Sequence, residues 1–103
     1  MSTPAHARHR LDDVIHAPVR FSIVAGLASV DEAEFGAVRD AVEVSDSVLS
    51  KQVSALEQAG YVKVRKGYVG KRPRTWLSLT RAGRDAFTRH VAALQEIAGA
   101  RPG

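Results

Sequence analysis

A clear stripe of apolar residues runs through the middle of the chain. Leu49, Val53 and Leu56 recur at the spacing of one helix face, so the pattern predicts a helix over residues 45–59. Ser45 suits the N-cap, because its hydroxyl can accept hydrogen bonds from the unpaired amides of the first turn. The opposite face of this helix is polar and carries mainly short side chains. A helix of this kind can bring its backbone close to a partner.

An alternating pattern follows directly and predicts a β-hairpin. Tyr61–Lys66 and Arg74–Leu79 each place apolar residues at every second position, which is typical of strands. The intervening Gly67–Pro73 contains two glycines and is expected to form a cationic tip. Trp76 and Tyr61 are expected on the outer face, stacked on each other or covering a partner subunit. A capped helix followed by such a hairpin is typical of a helix-turn-helix with a wing, in which the helix enters the major groove of DNA and the hairpin lies along the backbone or in the minor groove.

The remaining segments complete an α+β fold that is mostly helical. Pro18–Ser29 and Phe35–Val42 have apolar residues at helical spacing, and the second of them is expected to be the first helix of the helix-turn-helix. Asp31–Glu34 between them is expected to add a short edge strand to the hairpin. Leu11–Ile15 is expected to form a short helical turn. The prediction is a winged helix-turn-helix with a small antiparallel wing and long terminal helices.

The last predicted helix, capped by Thr80 and running to about Ala98, has more apolar surface than one small core uses. Two adjoining stripes along it are therefore expected to form a homodimer interface, together with the segment before the first long helix. The expected interface residues are Leu11, Val14, Ile15, Phe87, Val91, Leu94, Ile97 and Ala98. The alternative is a helix that simply folds back over its own domain.

Length and composition indicate one domain of 103 residues. Residues 11–98 are expected to form it, with a flexible arm at 1–10 and a flexible tail at 99–103. No apolar run approaches the roughly 20 residues that span a bilayer. The chain has no cysteine, which excludes disulfides and thiolate metal sites and fits a cytoplasmic protein.

Charge is distributed unevenly, although the net charge of +4 is modest. Nine basic residues lie between Tyr61 and His90 against Asp85 alone, whereas two basic residues oppose seven acids between Asp31 and Gly60. Such segregation predicts one surface that binds an anion. Nucleic acid is the expected anion because of the wing, and an acidic protein or a membrane surface is the alternative.

Several short motifs, taken jointly, form a recognisable pattern. They are Phe35-x-x-Val38, Leu49-Ser50-Lys51, Leu56-Glu57-x-Ala59-Gly60-Tyr61-Val62, Lys66-Gly67, Arg72-Pro73-Arg74-Thr75 and Leu79-Thr80-x-x-Gly83-Arg84. This pattern resembles the winged-helix regulators related to the MarR and ArsR groups, and it covers roughly Leu11 to Ile97. The resemblance implies a transcriptional regulator that binds operator DNA as a homodimer, in some relatives with a small apolar effector between the terminal helices. The chain departs from it at Lys71–Arg74, where MarR-type proteins commonly have Asp-x-Arg, so wing contacts are not carried over.

Other chemistries have little support. His6, His9, His16 and His90 do not form a metal-ligand pair at helical spacing, and His90 is expected at the edge of the dimer stripe. The sequence has no nucleophile elbow and no glycine-rich phosphate loop. We therefore expect no enzyme activity, no metal and no cofactor.

Together these patterns predict sequence-specific binding of double-stranded DNA by a homodimer that regulates transcription. Helix 45–59 is expected in the major groove and the basic wing 66–74 on the backbone or in the minor groove. The expected DNA-binding residues are Ser45, Asp46, Ser47, Ser50, Lys51, Ser54, Lys66, Tyr68, Lys71, Arg72 and Arg74. We expect the wing cations and the polar helix face to lie on one surface. The alternative is a winged helix whose basic face docks an acidic protein.

Overall fold

Four helices and a three-stranded antiparallel sheet make up the part of the chain that the structure, a computed structural model, describes. This part is residues 5–99, so most of the predicted C-terminal tail and the start of the predicted arm lie outside it. The helices are α1 (Pro18–Ala28), α2 (Phe35–Val42), α3 (Asp46–Gln58) and α4 (Arg81–Ala98). The strands are β1 (Ala33–Glu34), β2 (Val62–Val69) and β3 (Arg72–Leu79), and a 3₁₀ turn precedes α1 at Ala7–Arg10. The predicted α+β, mostly helical fold is confirmed.

The sheet is ordered β1-β3-β2, and both pairings are antiparallel. The predicted edge strand is therefore present, with Ala33 opposite Leu77 and Glu34 opposite Trp76. Since β1 pairs at only these two positions, the outer part of the hairpin has no third strand beside it. The short strand ties the start of α2 to the root of the hairpin.

The hairpin is longer than the sequence pattern predicts. The expected tip at Gly67–Pro73 is paired as strand as far as Val69 opposite Arg72, which leaves a two-residue turn of Gly70 and Lys71. Gly70 adopts a φ of 62°, a conformation suited to the first position of a type II′ turn. Pro73 is tolerated because the pair next to the turn-closing pair exchanges no hydrogen bonds, so its missing N–H faces away from β2.

The core fills the space between α1, α3 and the sheet. The fully buried Leu49 and Leu56 of α3 each stabilise the fold by about 2 kcal/mol, and this fixes the rotation of α3. Their position leaves the polar face of α3 in solvent. The buried cluster consists of Ile23, Val24, Leu27, Val38, Leu49, Val53, Leu56, Val62, Leu77 and Leu79.

Local signals set both ends of α3. The Ser45 hydroxyl accepts from the Val48 amide at 3.2 Å, as expected for an N-cap. Gly60 has a φ of 81° and lets the chain turn directly into β2. The turn between α2 and α3 is closed by Glu43, a non-glycine residue at a φ of 58°. A left-handed residue with a Cβ carries backbone strain.

The first turn of α4 is locked to the root of the hairpin. The Thr80 hydroxyl donates to the Gly60 carbonyl at 2.6 Å and accepts from the Gly83 amide at 3.0 Å. A Cβ on Gly83 would lie 2.2 Å from the Tyr61 carbonyl oxygen. Gly83 is therefore required for the close approach of α4 to the chain entering β2.

The N-terminal segment packs differently from the prediction. Residues 7–10, predicted as part of an arm without structure, form a 3₁₀ turn in which Ala7 is buried, and this turn lies against α4. Arg10 pairs with Glu96 of α4. The prediction that Ile15 lies at a dimer interface is wrong for this conformation, because Ile15 is fully buried within the chain.

Helix α4 buries one stripe and exposes another. The buried stripe consists of Gly83, Ala86, His90 and Ala93. Phe87, predicted at the interface, packs instead against the core and against Phe21 at 5.8 Å between ring centroids. Val91 and Leu94 are half-buried, whereas Ile97 and Ala98 are exposed. None of the helices in residues 5–99 has the length and apolar character needed to cross a membrane.

Candidate nucleic-acid interface

The polar face of α3 is fully available to a partner. The six residues of this helix and its N-cap that are predicted to bind DNA are all exposed: Ser45, Asp46, Ser47, Ser50, Lys51 and Ser54. Their hydroxyl and ammonium groups can donate to base edges and phosphates. Because five of the six side chains are short, the backbone of α3 can approach a groove floor closely.

A cleft of about 370 Å³ separates α3 from the hairpin. Ser50 and Ser54 line it from α3, and Lys66 lines it from β2, so the structure brings these three predicted residues together. Glu57 and Thr75 also line the cleft, although neither was predicted as a site residue. The remaining lining residues are Phe35, Val53, Val64 and Leu77.

The hairpin has a front face toward this cleft and a back face away from it. Strand alternation and register place Val64, Lys66, Tyr68, Pro73, Thr75 and Leu77 on the front face. They place Lys63, Arg65, Gly67, Val69, Arg72, Arg74 and Trp76 on the back face. The expectation that all wing cations share the surface of Ser50 and Lys51 is therefore wrong for Arg72 and Arg74.

Two acids on and before β1 hold arginines on the back face. Arg65 donates two hydrogen bonds to Glu32, at 2.9 and 2.7 Å, and lies 4.0 Å from the centre of the Trp76 ring. The hydrogen bond from Arg65 lowers the pKa of Glu32 below its usual value. Arg74 lies 3.7 Å from Glu34. Trp76 thus stacks on Arg65, and the predicted contact with Tyr61 is not formed.

The tip of the hairpin combines free cations with exposed apolar groups. Tyr68 is 72% exposed and Val69 51% exposed. Lys66, Lys71 and Arg72 are exposed as well, and within residues 5–99 none of the three has an acidic group within 4.0 Å. These three cations are therefore available to an external anion.

Asp46, at the first position of α3, does not present a bare negative charge. Arg39 of α2 bonds both Asp40 at 2.9 Å and Asp46 at 2.8 Å. These bonds raise the pKa of Arg39, with the larger contribution from Asp40. Arg39 was not predicted as a member of this surface, although it is the one basic residue between Asp31 and Lys51.

Val48 is a second residue of this surface that was not predicted from the sequence. It lies on the exposed side of α3 next to Ser47 and is 40% exposed. Its position outside the buried stripe of Leu49, Val53 and Leu56 was the available signal. An exposed valine on a groove-facing helix can contact a thymine methyl group.

A second polar cluster, here called the buried cluster, has a fully buried histidine at its centre and half-buried or exposed residues around it. The fully buried His90 accepts from the Asp12 amide through Nδ1 at 2.9 Å, and its Nε2 lies 3.4 Å from Nδ1 of His16. Asp12 in turn accepts from the Tyr61 hydroxyl at 2.6 Å and from the amides of Val14 and Ile15. The prediction that His90 lies at a dimer edge is therefore wrong for this conformation.

Protonation is biased within this buried cluster. Burial lowers the pKa of His90, and the nearby His16 adds to this effect while Asp12 opposes it. The hydrogen bond to Asp12 raises the pKa of Tyr61. Because the Asp12 amide donates to Nδ1, the neutral His90 ring carries its proton on Nε2. Within residues 5–99 no three histidine, aspartate or glutamate residues group as metal ligands do.

Comparison with known proteins identifies this arrangement. Residues 19–98 match the sequence model described as winged helix DNA-binding domain. The chain belongs to the winged helix DNA-binding domain family. The match confirms the predicted winged helix and its resemblance to winged-helix DNA-binding domains.

Three similar proteins place this winged helix among known structures and sequences. An uncharacterised protein of Methanocaldococcus jannaschii is 25% identical over 84 residues, which are 82% of this chain and 91% of the relative. A transcriptional regulator homologue from Pyrococcus horikoshii superimposes with a TM-score of 0.84 at 23% identity, covering 92% of this chain and 95% of that one. The heme sensor PefR from Streptococcus agalactiae, in complex with heme, gives 0.73 at 21% identity, covering 92% and 65%. At these identities the structural likenesses concern the fold.

Proposed function

We propose that this winged helix regulates transcription by binding double-stranded DNA in a sequence-specific manner as a homodimer, in the cytoplasm. Helix α3 enters the major groove, and the hairpin contacts the adjacent backbone and minor groove. The observation that carries this proposal is the shared cleft, because Ser50 and Ser54 of α3 and Lys66 of the wing line it together. One duplex can therefore contact both elements at once.

Electrostatics supports a strong dependence of affinity on salt. Lys51, Lys66, Lys71 and Arg72 are exposed cations of α3 and the wing that have no acidic partner within residues 5–99. If each protomer neutralises four phosphates, log affinity against log salt has a slope of about −7. A slope shallower than about −2 would reject the wing as an electrostatic anchor.

A pair of charge-matched variants tests the role of the front face. Lys66→Ala removes a front-face cation, and Lys63→Ala removes an exposed back-face cation three residues earlier. Lys66→Ala should weaken binding to all duplexes and make the salt slope shallower by about 2 for a dimer, whereas Lys63→Ala should leave the slope unchanged. Equal effects of the two variants would contradict the assignment of the front face.

The small side chains of α3 suggest modest discrimination between bases. Ser47, Ser50 and Ser54 offer single hydrogen bonds, and α3 offers no exposed arginine for bidentate contact with guanine. Backbone contacts and DNA shape should then supply much of the selectivity. Selection of bound fragments from genomic DNA should recover two-fold symmetric half-sites about one helical turn apart. If the chain shifts no genomic fragment at low salt, docking of an acidic protein becomes the favoured function.

The homodimer is supported by the apolar surface that α4 leaves uncovered. Of the predicted interface residues, Leu11, Val14, Val91 and Leu94 are half-buried, and Ile97 and Ala98 are exposed. Sedimentation of the full chain should give the mass of a dimer. Leu94→Glu should give a monomer with roughly half the salt slope on DNA, and Ala92→Glu, on the exposed side of α4, should remain dimeric. A wild-type chain that sediments as a monomer would refute the dimer.

A small-molecule effector is proposed for the cavity between the buried His90 and the exposed His16. This cavity of about 250 Å³ is lined by His16, Ala17, Pro18, Phe21, His90 and Leu94. Its apolar walls and two imidazoles suit a small aromatic molecule with one polar group. A panel of small aromatic acids should raise the melting temperature of the wild type, and filling the cavity with Ala17→Leu should abolish that shift.

A further inference from the structure

The tip of the wing carries the most exposed large hydrophobic residues of the described chain. Tyr68 and Val69 are its two most exposed large hydrophobic residues, at 72% and 51%. Pro73, which is also exposed, lies opposite Tyr68 in the hairpin register. These three residues, here called the tip wedge, pack on nothing in the core. Their apolar surface is available to a partner.

The charges around the tip wedge indicate the shape of that partner. Lys66 lies on the front face, Arg72 on the back face, and Lys71 in the turn between them. On the proposed function, the partner at this end of the hairpin is a DNA duplex. The minor groove of DNA has a phosphate row on each side, so cations on both faces can be neutralised together.

The geometry of the hairpin implies that the groove must deform. The two strands remain paired up to the two-residue turn at Gly70 and Lys71, so the tip is a paired hairpin and not an open loop. Paired strands lie about 4.8 Å apart before side chains are added, and the minor groove of B-DNA is about 6 Å wide. The side chains of Tyr68 and Val69 stand on opposite faces and add to these dimensions, so we expect the tip to exceed the width of an undistorted groove. Its entry must widen the groove or unstack a base step.

We propose that the tip wedge enters the minor groove, presses its apolar groups between the sugars and base edges, and selects sites whose steps open easily. The inference rests on the proposed DNA binding and adds to it a readout of deformability. Pyrimidine–purine steps unstack at the lowest cost, so these steps should lie where the wing lands. Apolar side chains that enter the minor groove act as wedges of this kind in DNA-bending proteins.

The test uses a duplex recovered from a random-sequence pool by the wild-type chain, relabelled with 2-aminopurine at the steps flanking each half-site. Binding of the wild type should raise the 2-aminopurine fluorescence, because the probe brightens when it unstacks. The double variant Tyr68→Ala, Val69→Ala should lose this increase while keeping the salt slope, since it removes no charge. Tyr68→Phe, the conservative control, should retain the increase. All substituted residues are exposed, and circular dichroism checks that the variants fold.

The outcomes separate this inference from the function on which it rests. If the wild type binds the duplex with a steep salt slope but without a fluorescence increase, the wedge is refuted and DNA binding stands. If the wild type binds no duplex, the proposed function fails first. If the chain binds phosphatidylglycerol vesicles through Tyr68 and the double variant binds DNA unchanged, the tip serves a membrane surface and the wedge is also refuted.

Discussion

The two polar regions of this molecule are built in opposite ways. In the buried cluster, His90, Asp12 and Tyr61 satisfy one another within the chain. On the surface formed by α3 and the front face of the hairpin, Lys51 and Lys66 are exposed and have no acidic partner in residues 5–99. Unpaired polar groups are costly when buried and cost little in water. Changes in the first region should therefore alter stability, and changes in the second should alter binding.

The largest expected effect tests the close packing next to the buried cluster. Gly83→Ala places a Cβ 2.2 Å from the Tyr61 carbonyl oxygen, so α4 must move away from the hairpin root. We expect a loss of about 3 kcal/mol in the free energy of unfolding, measured by urea denaturation. Ala82→Gly, at the exposed neighbouring position, should cost only about 1 kcal/mol. A loss in Gly83→Ala no larger than in this control would contradict the close approach.

The second prediction removes the buried imidazole. His90→Leu leaves the Asp12 amide without its acceptor, so we expect a loss of about 2 kcal/mol in the free energy of unfolding at neutral pH. His9→Leu, in the exposed part of the N-terminal turn, should change it by less than about 0.5 kcal/mol.

The same residue should make wild-type stability depend on pH. Because the pKa of His90 is lowered in the folded chain, the unfolded chain binds a proton more readily. The stability from the neutral imidazole is then fully present above about pH 6.5, the usual histidine value, and is lost as the pH falls from there toward the folded pKa. Thermal unfolding of the wild type should show this decrease, and His90→Leu should show less of it. Identical profiles would rule out His90 as the source.

A smaller effect is expected at Asp46, which lies on the DNA-facing side of α3 but is also paired within the chain. Asp46→Asn removes a negative charge from the DNA-facing end of α3 and leaves Arg39 bonded to Asp40 alone. We expect DNA affinity to rise about threefold, while stability falls by about 0.5 kcal/mol because the helix N-terminus loses an acid. Fluorescence anisotropy and urea denaturation measure the two changes. Asp85→Asn on α4 should leave the affinity unchanged.

An effect of similar size concerns the strained turn that positions α3. Glu43→Gly relieves the left-handed backbone conformation at a φ of 58° and should raise the free energy of unfolding by about 0.5–1 kcal/mol. Asp40→Gly, inside α2, should lower it by a similar amount. A decrease in both variants would indicate that Glu43 makes a contribution that outweighs its strain.

The elements that local signals determine were predictable from the sequence. Ser45 and Gly60 bound α3, Phe35–Val42 is helical as predicted, and the edge strand before α2 is present. The length of the hairpin was not predicted, since Pro73 reads as a turn residue unless the hydrogen-bonding pattern of its pair is known. The face of each wing cation was not predicted for the same reason, because a change in the turn shifts the register.

Contacts between distant parts of the sequence were not predictable from periodicity. Asp12 and His90 are 78 positions apart, and neither has a spacing that points to the other. The pairing of Arg65 with Glu32 depends on the edge strand, which brings the two segments of the chain together. A pattern along the chain reports which face of an element is apolar, whereas the partner of a polar residue depends on the tertiary arrangement.

Because β1 is short, a third strand supports the hairpin only at its root. At the root of the hairpin, β1 ends beside Trp76. The hydrogen bonds between Arg65 and Glu32 further fix this part of the hairpin from its back face. Beyond Trp76, only the pairing between β2 and β3 resists bending of the hairpin. The direction in which the hairpin points is therefore set at its root, far from the nucleotides that its tip would contact. Loss of the Arg65–Glu32 hydrogen bonds would let the tip contact a wider range of positions along the duplex, although no DNA-binding group would be removed.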